Sequence, residues 1–276
     1  MQQLRKLDYG ESVLVWDEER KKSFLFVLKP AGELGTHKGK ILHDEIVGKV
    51  EGSLILSSTG ARFRVFRPFV TDQMMKVQRK TQIIYPKDAA WLVLALNIKP
   101  GMKIIEIGTG SGAFTILLAQ LIGPDGKVYT FDRREDFLKN AKENIKRAGL
   151  EDRVVFDLLN AGDPFPVKDV DAVFLDLPEP WIAIPAAWDA LAPGKAIAII
   201  VPTAEQLKKS VETLKEEGFA VIDTVEILER RILVRKKEGV RPFEKMVGFT
   251  GYLISGRKLM KCRKPVSSNS SGCPSL

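Results

Sequence analysis

The chain has 276 residues, is 45% hydrophobic and carries a formal net charge of +8. That length can bury a full core and predicts one large and one small domain. No apolar run approaches the roughly 18–20 residues needed to cross a bilayer, and the first residues lack the apolar stretch of a signal peptide. Both cysteines, Cys262 and Cys273, lie at the far end. A membrane-spanning bundle is excluded, a disulfide framework or cysteine-built metal site is disfavoured, and a reducing, cytoplasmic setting is expected.

The first 68 residues are short apolar runs broken by turn signals. Strands are expected over 12–16, 23–28, 45–50, 53–57 and 62–66, with Pro30, Gly35, Gly39, Gly52 and Gly60 among the punctuation. This predicts a small all-β domain over 1–68, built as a partly closed barrel. After Pro68 the pattern turns helical, with helices expected over 71–79 and 87–96, the second led by Pro86.

From Lys103 strands and helices alternate, as in a doubly wound parallel α/β sheet. Strands are expected over 103–107, 127–131, 153–158, 171–175 and 195–201, and helices over 113–122, 134–147, 182–191 and 204–217. Two last strands, 219–235 and 246–256, have no helix between them, so they must pair antiparallel. The main domain is expected over 69–258. The residues from 259 on are rich in Ser, Pro and Lys and read as a disordered tail.

Charge is unevenly spread. Residues 1–80 carry +5, residues 81–227 carry −6 and residues 228–276 carry +9. A mildly acidic middle between basic ends suits a catalytic core with edges that grip a polyanion; the same pattern also suits the solvated surface of a lysine-rich protein. Arg230, Arg231, Arg235, Lys236, Lys237 and Arg241 lie on or after the long penultimate strand. They are candidates for phosphate contacts, or for side chains that simply face water.

The most informative segment follows the first strand of the alternating region: Glu106-Ile-Gly108-Thr109-Gly110-Ser111-Gly112, with Asp132 twenty positions later. A glycine-rich turn between strand and helix admits close approach to a ligand, and the later carboxylate can grip a ribose diol. The third glycine comes one residue earlier than in the dinucleotide fingerprint, and an acidic residue precedes the first. The pattern resembles motif I of class I S-adenosylmethionine methyltransferases, whose closing feature is a parallel sheet ending in an antiparallel strand.

Ligands of such a sheet bind beyond the carboxyl ends of its strands. The first strand end supplies Gly108–Gly112, the second Asp132, and the third Asn160 and Ala161, with Asp163 as an alternative. The fourth ends in Asp176-Leu-Pro178-Glu-Pro180-Trp181, where two prolines stiffen the backbone after a carboxylate. This segment resembles motif IV of enzymes that methylate amino-bearing nucleobases. Asp176 would accept a hydrogen bond from the exocyclic amino group of adenine and offset the charge that develops on N1. As a bland alternative, it caps the next helix.

Arg79-Lys-Thr81-Gln82-Ile-Ile-Tyr85-Pro86-Lys87-Asp88, Glu106–Gly112, Asp176–Trp181, Arg241-Pro242 and Thr250-Gly251-Tyr252-Leu253 together resemble the tRNA (adenine-N1)-methyltransferase family. The similarity covers roughly 8–258, includes Thr36-His37-x-Gly39, and leans toward the archaeal branch. It implies S-adenosylmethionine as donor, adenine 58 (and 57 in some archaeal members) of the tRNA T loop as target, and a homotetramer. It further implies Asp176 as the catalytic residue, Thr81 and Gln82 near the cofactor, and Tyr85 lining the base pocket. One departure is Phe249, where the family usually has His before Thr-Gly.

Tyr85 could stack on an extracted base or simply pack before its helix. Trp181 reads as a packing residue, and His37 and His43 stand without partners at metal-ligand spacing. Rival readings are a class I methyltransferase acting on protein isoaspartate or a small molecule, and a non-catalytic tRNA-binding subunit. The second should have lost its glycines and its motif IV carboxylate.

Overall fold

A computed structural model describes residues 4–235 and 239–260. The expected tail from 261 on, with both cysteines, and Lys236 and Lys237 lie outside the described residues.

Six short strands form the N-terminal part: β1 (Ser12–Asp17), β2 (Ser23–Val27), β3 (Glu33–Thr36), β4 (Gly39–Leu42), β5 (Leu54–Leu56) and β6 (Arg62–Phe66). They pair as an antiparallel sheet β2-β1-β6-β5 and a separate β3-β4 ribbon. Val13, Val15, Ile41, Ile55, Phe63 and Val65 fill one core between them. A partly closed barrel was expected; among the described residues the strands form this open sheet and the separate ribbon. β3 and β4 were not expected, and the strand expected over 45–50 does not form. Ile46 and Val47 instead donate back to the His43 carbonyl (2.9 and 3.2 Å), and burial falls on His43 and Ile46. That three-residue spacing makes a turn, since a half-buried strand needs a spacing of two.

α1 (Val70–Met75) is shorter than the sequence suggests, and α2 (Pro86–Ala95) follows it. Tertiary hydrogen bonds end α1 early. Asn144 Oδ1 accepts from the Gln78 N–H (2.9 Å), and Arg147 donates to the Lys76 carbonyl (3.0 Å).

The remaining elements are β7 (Lys103–Ile107), α3 (Ala113–Ile122), β8 (Lys127–Asp132), α4 (Glu135–Ala148), β9 (Val154–Leu158), β10 (Val170–Leu175), α5 (Pro180–Ala190), β11 (Leu191–Val201), α6 (Ala204–Glu217), β12 (Phe219–Val225), β13 (Ile232–Arg235), β14 (Gly239–Pro242) and β15 (Tyr252–Lys258). Seven strands make one sheet in the order β12-β15-β11-β10-β7-β8-β9. β15 alone runs antiparallel, wedged between β11 and β12.

The strand expected over 219–235 is two strands. β12 stays in the large sheet, whereas β13 leaves it and pairs with β14. Alternation along the central strands divides the core. Ile104, Ala172 and Phe174 face the layer of α1–α3, while Ile105, Ile107, Val173 and Leu175 face α5 and α6. The chain leaves β7 toward β8 and β9, then returns to build β10 on the other side. That reversal places a crevice at the carboxyl ends of β7 and β10.

Candidate active site

Ile107 and Leu175 stand opposite each other at the ends of β7 and β10, so the segments that follow them leave the sheet together. The Asp176 N–H donates to the Ile107 carbonyl (2.9 Å), extending the ladder by one residue. Gly108 then turns at φ +95°, and a Cβ there would lie 2.0 Å from the Asp176 carbonyl oxygen. Only glycine meets both conditions. Gly110, at φ +54°, is similarly confined, since its Cβ would meet Thr81 Oγ1 at 2.8 Å. Gly112 differs. Its Cβ position faces Ala141 of α4 at 3.2 Å, so it seats a helix and does not line the cleft.

The cleft has a volume of about 530 Å³. Glu106, Gly108, Thr109, Gly110 and Ser111 line it from the first turn. Asp132, Asn160, Ala161 and Asp176 line it from the other strand ends, and Thr81 and Gln82 close it from the segment before α2. Asp132 is oriented through both oxygens: Oδ2 accepts from the Gly110 N–H (3.1 Å) and Oδ1 from the Arg134 N–H (3.0 Å). The Ser111 hydroxyl faces away from ligand duty. It accepts from the N–H groups of Lys80 (3.0 Å) and Thr81 (3.2 Å), and Asn144 Nδ2 donates to the Ser111 carbonyl (2.9 Å). Ser111 and Asn144 thus tie the 78–81 segment over the first turn. Asp163 does not line the cleft; it accepts from the Asn160 N–H (3.2 Å) and holds that loop.

Glu106 is 1% exposed. One of its oxygens accepts from the hydroxyls of Thr115 (2.5 Å) and Thr130 (2.6 Å), and Thr130 also meets the Thr109 hydroxyl (2.6 Å). Burial pushes the Glu106 carboxyl up to about 7, and the charges of Asp176 and Asp132 add to the rise. Burial among the cleft walls likewise pushes Asp176 up to about 7, with Asp132 second. Asp176 is nevertheless an exposed residue, and solvent moderates its rise more than that of enclosed Glu106.

Sequence reasoning missed Arg134, Phe137, Leu177, Glu179 and Ile182, which also line the cleft. Arg134 lies over the Phe137 ring, 3.7 Å from its centroid. A signal existed: both follow Asp132 at the start of α4, where any ligand held by Asp132 must pass.

Tyr85 is not in this cleft. It borders a second cavity of about 710 Å³, together with Lys76, Lys87, Arg231, Phe243 and Lys245. Residues 81–84 line the first cavity and Tyr85 the second, so one short segment serves both. Of the four candidate arginines, Arg231 reaches the second cavity. Arg230 and Arg235 are exposed, and Arg241 pairs with Glu244 (2.8 Å). Arg230 and Arg231 lie between β12 and β13, not on a long strand.

Phe249 packs edge-on against Tyr252, with centroids 5.0 Å apart. His43 Nδ1 accepts from the Lys29 N–H (3.1 Å), and the Lys209 ammonium sits 4.0 Å from the centre of the Trp181 ring. Both side chains have structural partners.

Residues 71–243 match the model of a family described as the tRNA methyltransferase complex GCD14 subunit, and residues 6–55 match a TrmI-like N-terminal family. The chain belongs to the GCD14 family. The tRNA (adenine(57)-N(1)/adenine(58)-N(1))-methyltransferase TrmI of Methanocaldococcus jannaschii is 35% identical over 266 residues, covering 87% of this chain and 93% of that protein. The solved tRNA (m1A58) methyltransferase TrmI of Aquifex aeolicus superposes with a TM-score of 0.77 at 35% identity, covering 93% of this chain and 100% of that one. A SAM-dependent O-methyltransferase of Thermotoga maritima superposes with a TM-score of 0.85 at 36% identity, covering 94% and 97%. The class I methyltransferase fold expected from the glycine motif and the closing antiparallel strand is therefore established.

Two outcomes test the site geometry. Gly108→Ala should destabilise the protein by about 2 kcal/mol or more, read from denaturant unfolding, because the new methyl meets rigid backbone. Glu106 binds its proton more tightly when folded, so its contribution is complete below its unfolded pKa and is lost as pH rises through about 7. Glu106→Gln should remove that loss, worth roughly 3 kcal/mol between pH 4.5 and 7. Parallel melting curves of the two proteins across this window would contradict the assignment.

Proposed function

We propose that the chain transfers a methyl group from S-adenosylmethionine to N1 of adenine 58, and of adenine 57 where the tRNA presents it, in the T loop. The observation that carries this reading is the meeting of Asp176 with the glycine turn and Asp132 in one cleft.

The residues suit the cofactor. Asp132, held by two backbone N–H groups, presents its remaining lone pairs to a ribose diol. Gly108 and Gly110 bare the backbone, Asn160 and Ala161 would meet the adenine ring, and Thr81 and Gln82 would hold the cofactor from the segment before α2. When bound, the sulfonium supplies an electrophilic methyl group.

Asp176 accepts a hydrogen bond from the exocyclic amino group of the target adenine and points N1 at that methyl. Adenine N1 already carries a lone pair, so no base need act first. The carboxylate then offsets the positive charge that grows on the ring. A protonated Asp176 would instead donate to N1 and cover the nucleophile. Tyr85, Arg231, the exposed Arg230 and Arg235, and Arg241 are assigned to the RNA. The division into an N-terminal β unit over 1–68 and a methyltransferase unit over 69–258 belongs to the same proposal, supported by the separate core of residues such as Val15 and Phe63. No described helix is long and apolar enough to cross a membrane, in keeping with the cytoplasmic setting proposed.

Incubation with S-adenosylmethionine and unmodified tRNA, followed by nucleoside mass spectrometry, tests the reading. It expects 1-methyladenosine in the T loop; a 2′-O-methyl product or none would sink it. Asp176→Ala should lower the methylation rate at least ~10²-fold while cofactor affinity falls less. Because the working form is ionised, wild-type kcat/KM should drop on acidification, at a pH above the usual carboxylate range, and Asp176→Asn should be slow without that drop.

A homotetramer is proposed with this function. Ile232, Val234, Val240, Met246 and Phe249 leave a cluster of exposed apolar side chains on and beside β13–β14 that a second copy would cover. Val234→Glu with Val240→Glu should reduce the mass measured by sedimentation; an unchanged mass would remove this face from the assembly.

A further inference from the structure

Both ends of the excursion that carries β13 and β14 meet one ammonium group. Lys87 Nζ donates to the Ile227 carbonyl (2.7 Å), just past β12, and to Thr250 Oγ1 (2.5 Å), just before β15. The third donor goes to Asp88 Oδ1 (2.7 Å), so all three N–H groups are engaged. The Lys87 and Asp88 side chains are 6% and 0% exposed. Removing two charges from water is costly, and an apolar pair of similar size often serves stability as well or better. Asp88 Oδ2 even lacks a hydrogen bond among the described residues. What such a pair does supply is geometry, since one ammonium fixes two distant segments to one point.

That geometry concerns the second cavity. The excursion supplies one wall, with Phe243, Lys245 and Arg231, the last paired with Glu229 (2.9 Å); α1 and the start of α2 supply the other, with Asp72, Met75, Lys76 and Tyr85. Among the described residues β13 and β14 pair only with each other, and their side chains are mostly exposed. Within one chain little packing orients the hairpin, so its attachment to the body rests on its roots. Those roots are held to α2 by Lys87, two residues after Tyr85.

We propose that Lys87 is a positioning residue for RNA: its ammonium pins both roots of the 228–249 excursion to α2 and so sets the gap between Tyr85 and the basic wall of Arg231 and Lys245, in which a polyanionic strand lies. The proposal rests on the RNA reading above but concerns a side chain that touches neither cofactor nor reacting atoms.

The double variant Lys87→Met with Asp88→Asn removes the clamp without leaving a buried charge unpaired. Hydrogen exchange of 228–249 is measured on the assembled protein without RNA, and kcat and KM are then measured with tRNA. Exchange in the excursion should quicken, KM for tRNA should rise about tenfold, and kcat should stay within about threefold. The dissociation constant for S-adenosylmethionine should be unchanged. Thr250→Val, which removes one acceptor, should move exchange and KM the same way by less, and it decides the matter if the double variant does not fold.

Unchanged exchange in 228–249, or faster exchange with an unmoved KM, overturns the proposal. A fall in kcat and cofactor affinity together also overturns it, because that is general damage. Failure of the RNA reading would show separately, as wild-type protein that methylates no tRNA; the exchange data then still judge whether Lys87 holds the excursion.

Discussion

The site depends on one close approach of backbone to backbone. Where Gly108 passes the Asp176 carbonyl, the ends of β7 and β10 come nearer than any side chain would permit. The approach follows from the parallel register that sets Ile107 opposite Leu175 and from a reversal of strand order at this point in the sheet. Both chemical ends of the site, the glycine turn and the carboxylate, are therefore aligned by main-chain hydrogen bonds. A pair of adjacent strands in a close-packed sheet deforms little. Preorganisation of this kind costs nothing at the moment of reaction.

Around that contact lies a layer of polar residues whose work is to hold other residues still. Ser111 and Asn144 fasten the 78–81 segment, and the hydroxyls of Thr115 and Thr130 hold Glu106. Three carboxyl groups, those of Glu106, Asp132 and Asp176, gather in or beside one cleft; Asp132 raises the proton affinity of both others, and Asp176 adds to that of Glu106. A cationic ligand would relieve that crowding. The acidic middle of the chain thus has a local purpose, distinct from the basic ends suited to RNA.

Much of this was legible in the residues themselves. The glycine spacing, Asp132 and the Asp-x-Pro-x-Pro segment are local signals, each tied to a strand end, and topology brings strand ends together. Less legible was whatever depends on contacts between distant segments. Gly112 looks like its neighbours in the motif, yet Ala141 of α4 decides its role. The early stop of α1 is set by Asn144 and Arg147, more than sixty positions away. The break between β12 and β13 has no proline or glycine to mark it, and Tyr85 falls in a different cavity from the residues just before it.

The placement of β15 bears on the order in which the chain can become structured. β12 has β15 as its ladder partner, from Phe219↔Lys258 to Val225↔Leu253, and β11 has the other face of β15 along Ala196–Val201. As the polypeptide leaves the ribosome, the strands that carry the glycine turn and Asp176 emerge long before this wedge. Until it arrives, β11 is a bare edge of almost wholly apolar residues, and β12 is an orphan. Non-local pairing of this kind slows folding and exposes edges that attract other chains. The nascent protein thus passes through a stage in which its catalytic half can be formed while its sheet is still unsealed.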